Sequence, residues 1–351
     1  MAHPDYVIAG AGIIGLTLAL ELHSQGASVT VLEAAQALGQ TSVAAAGMLA
    51  VNDPLNPAQL LPLTQLSASL YPAFLDRLAD LSGLIVPFQT SSTLQASADP
   101  HPGILSNPRQ LLPQLTPGDL SFRLLDEHSI DPRQLATALL AAIRTTDIQL
   151  LEHTALTRIA ASPRSIHIET TSSTLDTAFL IDCMGTWSPA PVFPRKGQML
   201  AVKMPRGFEL ESVVRTEEVY LVPRTQGPHL GRLLIGATLE DAGFDLEVHA
   251  RDLLTLNAHA LELFPALANA EFLDSWAGLR PATADGLPLL GNTPEQPHYV
   301  LATGHFRNGI LLAPATARVL AQLLSGVAPE VDLRPFQPDR PSLKQRGIRT
   351  A

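Results

Sequence analysis

At 351 residues and 37.5 kDa the chain is long enough to bury a large core divided between two domains. Apolar residues make up 46% and charged residues 16%, the balance of an ordinary globular protein, and a net charge of −10 offers no basic face to nucleic acid. The one cysteine, Cys183, excludes an intramolecular disulfide framework and a cysteine-built zinc site, so no metal is expected and a reducing cytoplasm fits.

Tyr6 to Leu20 is the most apolar early run. No Lys or Arg precedes it, glycines punctuate it, and Glu21 and His23 follow without a small-residue cleavage pattern. It therefore reads as core and not as a signal peptide. No other uninterrupted apolar run reaches the ~18 residues of a membrane span, so a soluble protein is expected.

Tyr6–Ala9 reads as a buried strand, residues 13–25 as a helix stopped by Gly26, and residues 27–33 as a second strand. This is a βαβ opening with a parallel pair. Residues 66–81 have helical spacing, and residues 111–125 are broken by Pro113 and Pro117. Asp131-Pro132 reads as an N-cap and first-turn proline opening a helix to about Arg144. Asp126-Glu127-His128-Ser129, just ahead of it, reads as a solvated loop. Short strands follow at 148–153, 165–170, 178–182, 198–202, 219–222 and 233–237, the last two joined by a hairpin connection at Thr225–His229. Residues 253–264 and 310–324 read as helices. The segment Gly304-His305-Phe306-Arg307-Asn308-Gly309 opens the last of these. A helix start leaves backbone N–H groups unpaired and carries partial positive charge, and Arg307 adds a full one, so the site suits something negative.

Gly10-Ala11-Gly12-Ile13-Ile14-Gly15 fits G-x-G-x-x-G between a strand and a helix. Gly10 makes the tight turn, Gly12 admits a pyrophosphate to the backbone, and Gly15 permits close helix–strand packing. Glu33 ends the second strand, placed to accept hydrogen bonds from a ribose 2′-OH, which disfavours NADP. The motif does not separate NAD from FAD.

Several segments together resemble the glycine oxidase branch of the D-amino-acid oxidase family, the ThiO-type flavoproteins. They are the fingerprint with Glu33, the small-residue run Thr41-Ser42-Val43-Ala44-Ala45-Ala46-Gly47-Met48-Leu49, the run from Ser275 to Pro288 containing Gly278-Leu279-Arg280-Pro281, and the run from Gly304 to Pro314. Val219–Arg224 and Gly236-Ala237-Thr238 also match, and the similarity extends from about residue 5 to residue 325. The resemblance implies an α/β (α+β) fold with a Rossmann-like FAD-binding domain and an antiparallel-sheet substrate domain. The expected division is 1–82, 137–195 and 276–351 for the first, and 83–136 and 196–275 for the second. It implies non-covalent FAD, since covalent attachment in related sarcosine oxidases uses a late cysteine that is absent here. It lays Thr41, Ser42, Ala45, Ala46, Gly47 and Met48 along the flavin. Gly185 and Trp187, at the end of the Leu180–Cys183 strand, approach FAD, with Cys183 buried and inert. It implies a cytoplasmic homo-oligomer, a dimer or tetramer.

Oxidising an amine at Cα requires a hydride to leave carbon for flavin N5. The protein must hold the carboxylate, keep the amine neutral and stabilise charge on the reduced ring. Arg280, carried over as the family's carboxylate-binding arginine, sits in what reads as a rigid, glycine-lined loop. Tyr220 is the second candidate for the same carboxylate. Arg307 has two readings, a carboxylate contact or a charge closing the site. Beside it, His305 and Asn308 lead into Gly309, Ile310 and Leu311, whose backbone N–H groups face flavin O2 and N1. A lone histidine such as His305 is more often structural. Glu218 and Leu239 border the pocket without being diagnostic. Three functions follow. The first is glycine oxidation with O2 to glyoxylate, ammonia and H2O2, linked to thiamine thiazole formation. The second is a D-amino-acid or sarcosine-type oxidase or dehydrogenase of the same fold. The third is a non-redox flavin-binding protein.

Overall fold

The structure, a computed structural model, describes residues 3–97, 103–105, 107–162 and 165–343. Its first layer is a six-stranded sheet in the order Leu289–Thr293, Gln296–Thr303, Phe179–Asp182, Tyr6–Ala9, Val29–Leu32, Gln149–Leu151. Five of these strands are parallel and Leu289–Thr293 runs antiparallel at one edge. Parallel strands in such a sheet are apolar on both faces because both faces are covered. The alternation is visible residue by residue. Ile8, Val31 and Ile181 face a core built with the helices Ile13–Ser24, Leu61–Ser82, Pro132–Arg144 and Gly309–Leu324, whereas Val7, Ala9, Leu32 and Leu180 pack on Ile166 and Ile168 of a small antiparallel sheet on the other side.

The helices form where the sequence places them. Asp131 accepts a hydrogen bond from the Arg133 N–H (3.0 Å), and Pro132 occupies the first turn of Pro132–Arg144. Ile13–Ser24 ends one residue before the expected stop, with Gly26 at φ 87°. It lies so close to the first strand that a Cβ on Gly15 would stand 2.0 Å from the Gly10 carbonyl oxygen.

The second layer is a seven-stranded sheet, Glu271–Ala282, Phe193–Lys203, Arg232–Gly236, Tyr220–Pro223, Val213–Arg215, Thr93–Ser97, Ser121–Leu125, antiparallel except where Val213–Arg215 runs beside Thr93–Ser97. Leu200, Val202, Val214, Leu221 and Ile235 point to a core closed by the helix Ala250–Leu263. Met199, Ala201, Val213, Val222 and Leu234 point the other way, toward Ala46 and Met48 of the first layer. No helix among the described residues is long and apolar enough to cross a membrane.

Two expectations are corrected here. Arg280 stands on the twelve-residue strand Glu271–Ala282 and not on a loop. Gly278 and Pro281 suggest a break, but a neighbouring strand pairs along its whole length and overrides that local preference. The Asp126–Ser129 segment is solvated only at Asp126 and His128. Glu127 and Ser129 are buried, and the Glu127 carboxylate accepts from the Asn52 N–H (2.7 Å) and meets Arg215 at 3.2 Å. A charged run reads as surface in sequence; a distant arginine turned it inward.

One ion-pair cluster fastens the C-terminal segment to the sheet edge. Arg340, buried, donates to both Asp285 oxygens (Nε 2.7 Å, Nη2 2.8 Å) and to the carbonyls of Leu287 and Pro288. Although burial opposes it, hydrogen bonding from Arg340 and Ser342 holds the Asp285 carboxyl well below the usual carboxylate range. Its folded-state pKa is depressed. The stability it contributes is therefore present above pH ~4 and is lost as pH falls below that value. Asp285→Asn should cost about 1.5–3 kcal/mol at neutral pH, with the deficit shrinking in acid. Urea denaturation of both proteins across a pH series checks this, and a pH-independent difference would contradict it.

Candidate active site

The carboxyl ends of the parallel strands open onto a single cavity of about 1120 Å³ that reaches the second sheet. Ligands in such sheets bind outside those ends. Gly10 turns the chain there at φ 103°, and a Cβ on it would stand 2.4 Å from the Cys183 carbonyl oxygen. Gly12 leaves its backbone open, with only the Ser42 hydroxyl 3.5 Å from where a Cβ would stand. Ser42 Oγ accepts from the Ile13 N–H (3.0 Å), tying the small-residue run to the helix start. Glu33 accepts from the N–H groups of Ala11 and Ala35, both at 2.9 Å, which fixes its carboxylate at the cavity edge with lone pairs to spare. A long cleft with a glycine turn, a helix N-terminus and a fixed acid at one end suits a dinucleotide.

At the far end the first turn of Gly309–Leu324 reaches the same cavity through Gly309 and Ile310. The sequence-chosen residues Thr41, Ser42, Ala45, Ala46, Gly47, Met48, Gly185, Trp187, His305, Arg307 and Asn308 line it too. Gly15 and Leu311 do not. Gly15 serves the packing above, and Leu311 is buried behind the wall with its carbonyl accepting from Ser67 Oγ (2.5 Å). His305 is buried against Thr316 Oγ1 (3.0 Å), and burial pushes its pKa down to about 3, so the ring is neutral at physiological pH. Cys183 is buried as well, and burial raises its thiol far above the usual range.

The polar floor is one lateral row of the second sheet. In register across four strand pairs run Met199, Gly236, Tyr220, Arg215 and Gln95. Cross-strand partners share a face, so Tyr220 and Arg215 stand side by side. Two glycines make room. A Cβ on Gly236 would lie 2.8 Å from the Tyr220 ring, and one on Gly197 would lie 2.2 Å from the Arg280 guanidinium. Glycine inside a strand marks such close approach, a signal present in the sequence but unread there. Arg280 thereby lies along its sheet, donating Nη1 to the carbonyls of Thr238 (3.1 Å) and Lys196 (3.3 Å). Burial lowers its pKa and raises that of the Tyr220 phenol, while their proximity acts the other way on both. At neutral pH one is a cation and the other a protonated donor.

Three guanidinium groups line the cavity: Arg215, Arg280 and Arg307. Arg215 is paired with buried Glu127 at 3.2 Å, and Arg307 with buried Asp53. Arg280 has no carboxylate within ion-pair distance among the described residues: it contacts the carbonyls and Tyr220, while Glu240 acts on it from farther off and only electrostatically. Asp53 was not apparent in the sequence. Asn52-Asp53-Pro54 announces a turn, but nothing local shows that the turn reaches Arg307 more than 250 residues away.

The profile of the D-amino-acid oxidase group, described as FAD dependent oxidoreductase, matches residues 5–323. A glycine oxidase of Pseudomonas aeruginosa is 31% identical, over 95% of this chain and 98% of its own length. A bifunctional ThiO/ThiG protein of Synechocystis sp. is 32% identical over 96% of this chain, which spans about half (54%) of that protein. The crystal structure of glycine oxidase from Geobacillus kaustophilus superposes with a TM-score of 0.88 at 28% identity, covering 97% of this chain and 99% of that one. With its fold, its glycine-turned cleft and these likenesses in agreement, the chain belongs to the D-amino-acid oxidase family of FAD-dependent oxidoreductases.

Proposed function

We propose that the protein oxidises glycine to an imine that hydrolyses to glyoxylate and ammonia, with O2 reduced to H2O2, and acts on sarcosine or small D-amino acids in the same way, each giving its own 2-oxo acid and amine. The observation that carries this reading is the unpaired Arg280 beside Tyr220, in a cavity where the other two guanidinium groups are already neutralised. A lone cation next to a phenol donor is a receptor for one carboxylate. Non-covalently bound FAD supplies the hydride acceptor for the Cα–H bond. The chain's share is positional. Arg280 and Tyr220 fix the carboxylate, which fixes Cα relative to the cofactor cleft. The N–H groups at the start of Gly309–Leu324 would help hold the cofactor and favour negative charge beside them. His305, neutral and bonded to Thr316, supports that turn and transfers no proton.

The same reading divides the chain at the expected boundaries, with 1–82, 137–195 and 276–351 forming the FAD domain. In support, every strand of the six-stranded sheet falls within those segments, whereas the boundaries at 195 and 276 cut the strands Phe193–Lys203 and Glu271–Ala282, which pass from one domain to the other, the second carrying Arg280. The ThiO/ThiG likeness supports a link to thiamine thiazole formation. A cytoplasmic homo-oligomer completes the proposal.

Purified holoenzyme assayed for H2O2 should turn over glycine faster than D-proline or bulky D-amino acids; the reverse order would move it to the D-amino-acid oxidases. Arg280→Ala should raise KM for glycine by about 10- to 100-fold while FAD stays bound, the loss of one charge-assisted contact. An unchanged KM would remove Arg280 from the role. Gly197→Ala should act through Arg280. The new methyl displaces the tip of a flexible side chain, so acetate binding, read from the flavin absorbance, should weaken by about tenfold. The melting temperature should stay nearly constant. A large loss of stability with unchanged acetate affinity would show that the guanidinium does not move.

A further inference from the structure

Asp53 has a property that its place near the chain's surface turns does not require. Its side chain is only 7% exposed, it lines the cavity, and it pairs with Arg307. Its position is set by the chain and not by a ligand. Oδ1 accepts from the Leu55 N–H (2.9 Å), and the turn is pinned by Asn56, which donates to the Ala50 carbonyl (3.3 Å) and accepts from Asn308 Nδ2 (2.8 Å). Arg307 is near enough to Arg280 and Tyr220 to act on both electrostatically. Without Asp53, the substrate end of the cavity would present two free guanidinium groups.

We propose that Asp53 is a specificity-determining positioning residue. By neutralising Arg307 it leaves one free cation, so the site takes amines bearing one carboxylate and rejects those bearing two. The inference rests on the reading of this cavity as an amino-acid site and deepens it. A second carboxylate reaching Arg307 would have to displace Asp53, leaving a buried acid without its partner, which is strongly unfavourable.

The test uses holoenzyme and carboxylates that cannot react. Acetate and malonate are titrated against the flavin absorbance, at a pH where every carboxyl is ionised. Wild-type protein should bind acetate at least as tightly as malonate. Asp53→Asn keeps an oxygen for the Leu55 N–H and removes the charge. It should raise malonate affinity relative to acetate at least tenfold, and kcat/KM for D-aspartate relative to D-alanine by a similar factor. A purely structural Asp53 would weaken both ligands together and leave the ratio unchanged, which overturns the proposal. If Asp53→Asn loses FAD, Asp53→Ser is titrated the same way, and wild-type protein that prefers malonate overturns the proposal without any variant. Because binding is read without turnover, failure to oxidise glycine would sink the proposed function while leaving this inference standing. An unchanged ratio in an enzyme active on glycine sinks this inference alone.

Discussion

The site depends on a cation that the fold declines to neutralise. Guanidinium groups inside proteins normally find carboxylates, and Arg215 and Arg307 do so here. Arg280 instead lies over Gly197 and gives a hydrogen to carbonyl oxygens, which compensate part of its lost hydration without cancelling its charge. Everything around it follows from that arrangement. Gly197 and Gly236 are cut back so that Arg280 and Tyr220 can lie flat on their sheet. The row from Met199 to Gln95 holds Tyr220 in register, and the cavity opens in front of both side chains.

The two sheets divide the work in a way their hydrogen bonding explains. A parallel sheet covered on both faces is stiff and ends all its strands on one side, where Gly10, Glu33 and Cys183 gather. The antiparallel sheet can turn one face to a core and the other to a ligand, and alternate residues of Tyr220–Pro223 do this: Leu221 packs inward while Tyr220 reaches the cavity. The cleft therefore has a rigid, glycine-turned end and a polar, side-chain-built end.

Local signals carried much of this. The G-x-G-x-x-G turn, the Asp131-Pro132 cap and the apolar strand runs expected at 6–9 and 27–33 are short-range patterns, and they formed within a residue or two of expectation. Sequence reasoning failed where a partner lay far along the chain. Arg280 read as a loop residue because its flanking glycine and proline speak louder locally than the strand that pairs with it. Glu127 read as solvated because Arg215 is invisible from its neighbours.

By itself, then, the sequence determined the dinucleotide turn, the helix that opens after Arg307 and the buried strands of the βαβ opening, since each depends on steric and periodic rules spanning a few residues, while most of the residues that gather at the cavity were named by family resemblance. The tertiary structure alone decided which charges cancel. Pairing of Arg307 with Asp53 and Arg215 with Glu127, and the absence of such a partner for Arg280 among the described residues, are set by distances between segments 88 to 254 residues apart. Coulomb interactions fall off with distance in space and not along the chain, so only the folded chain shows which guanidinium remains free.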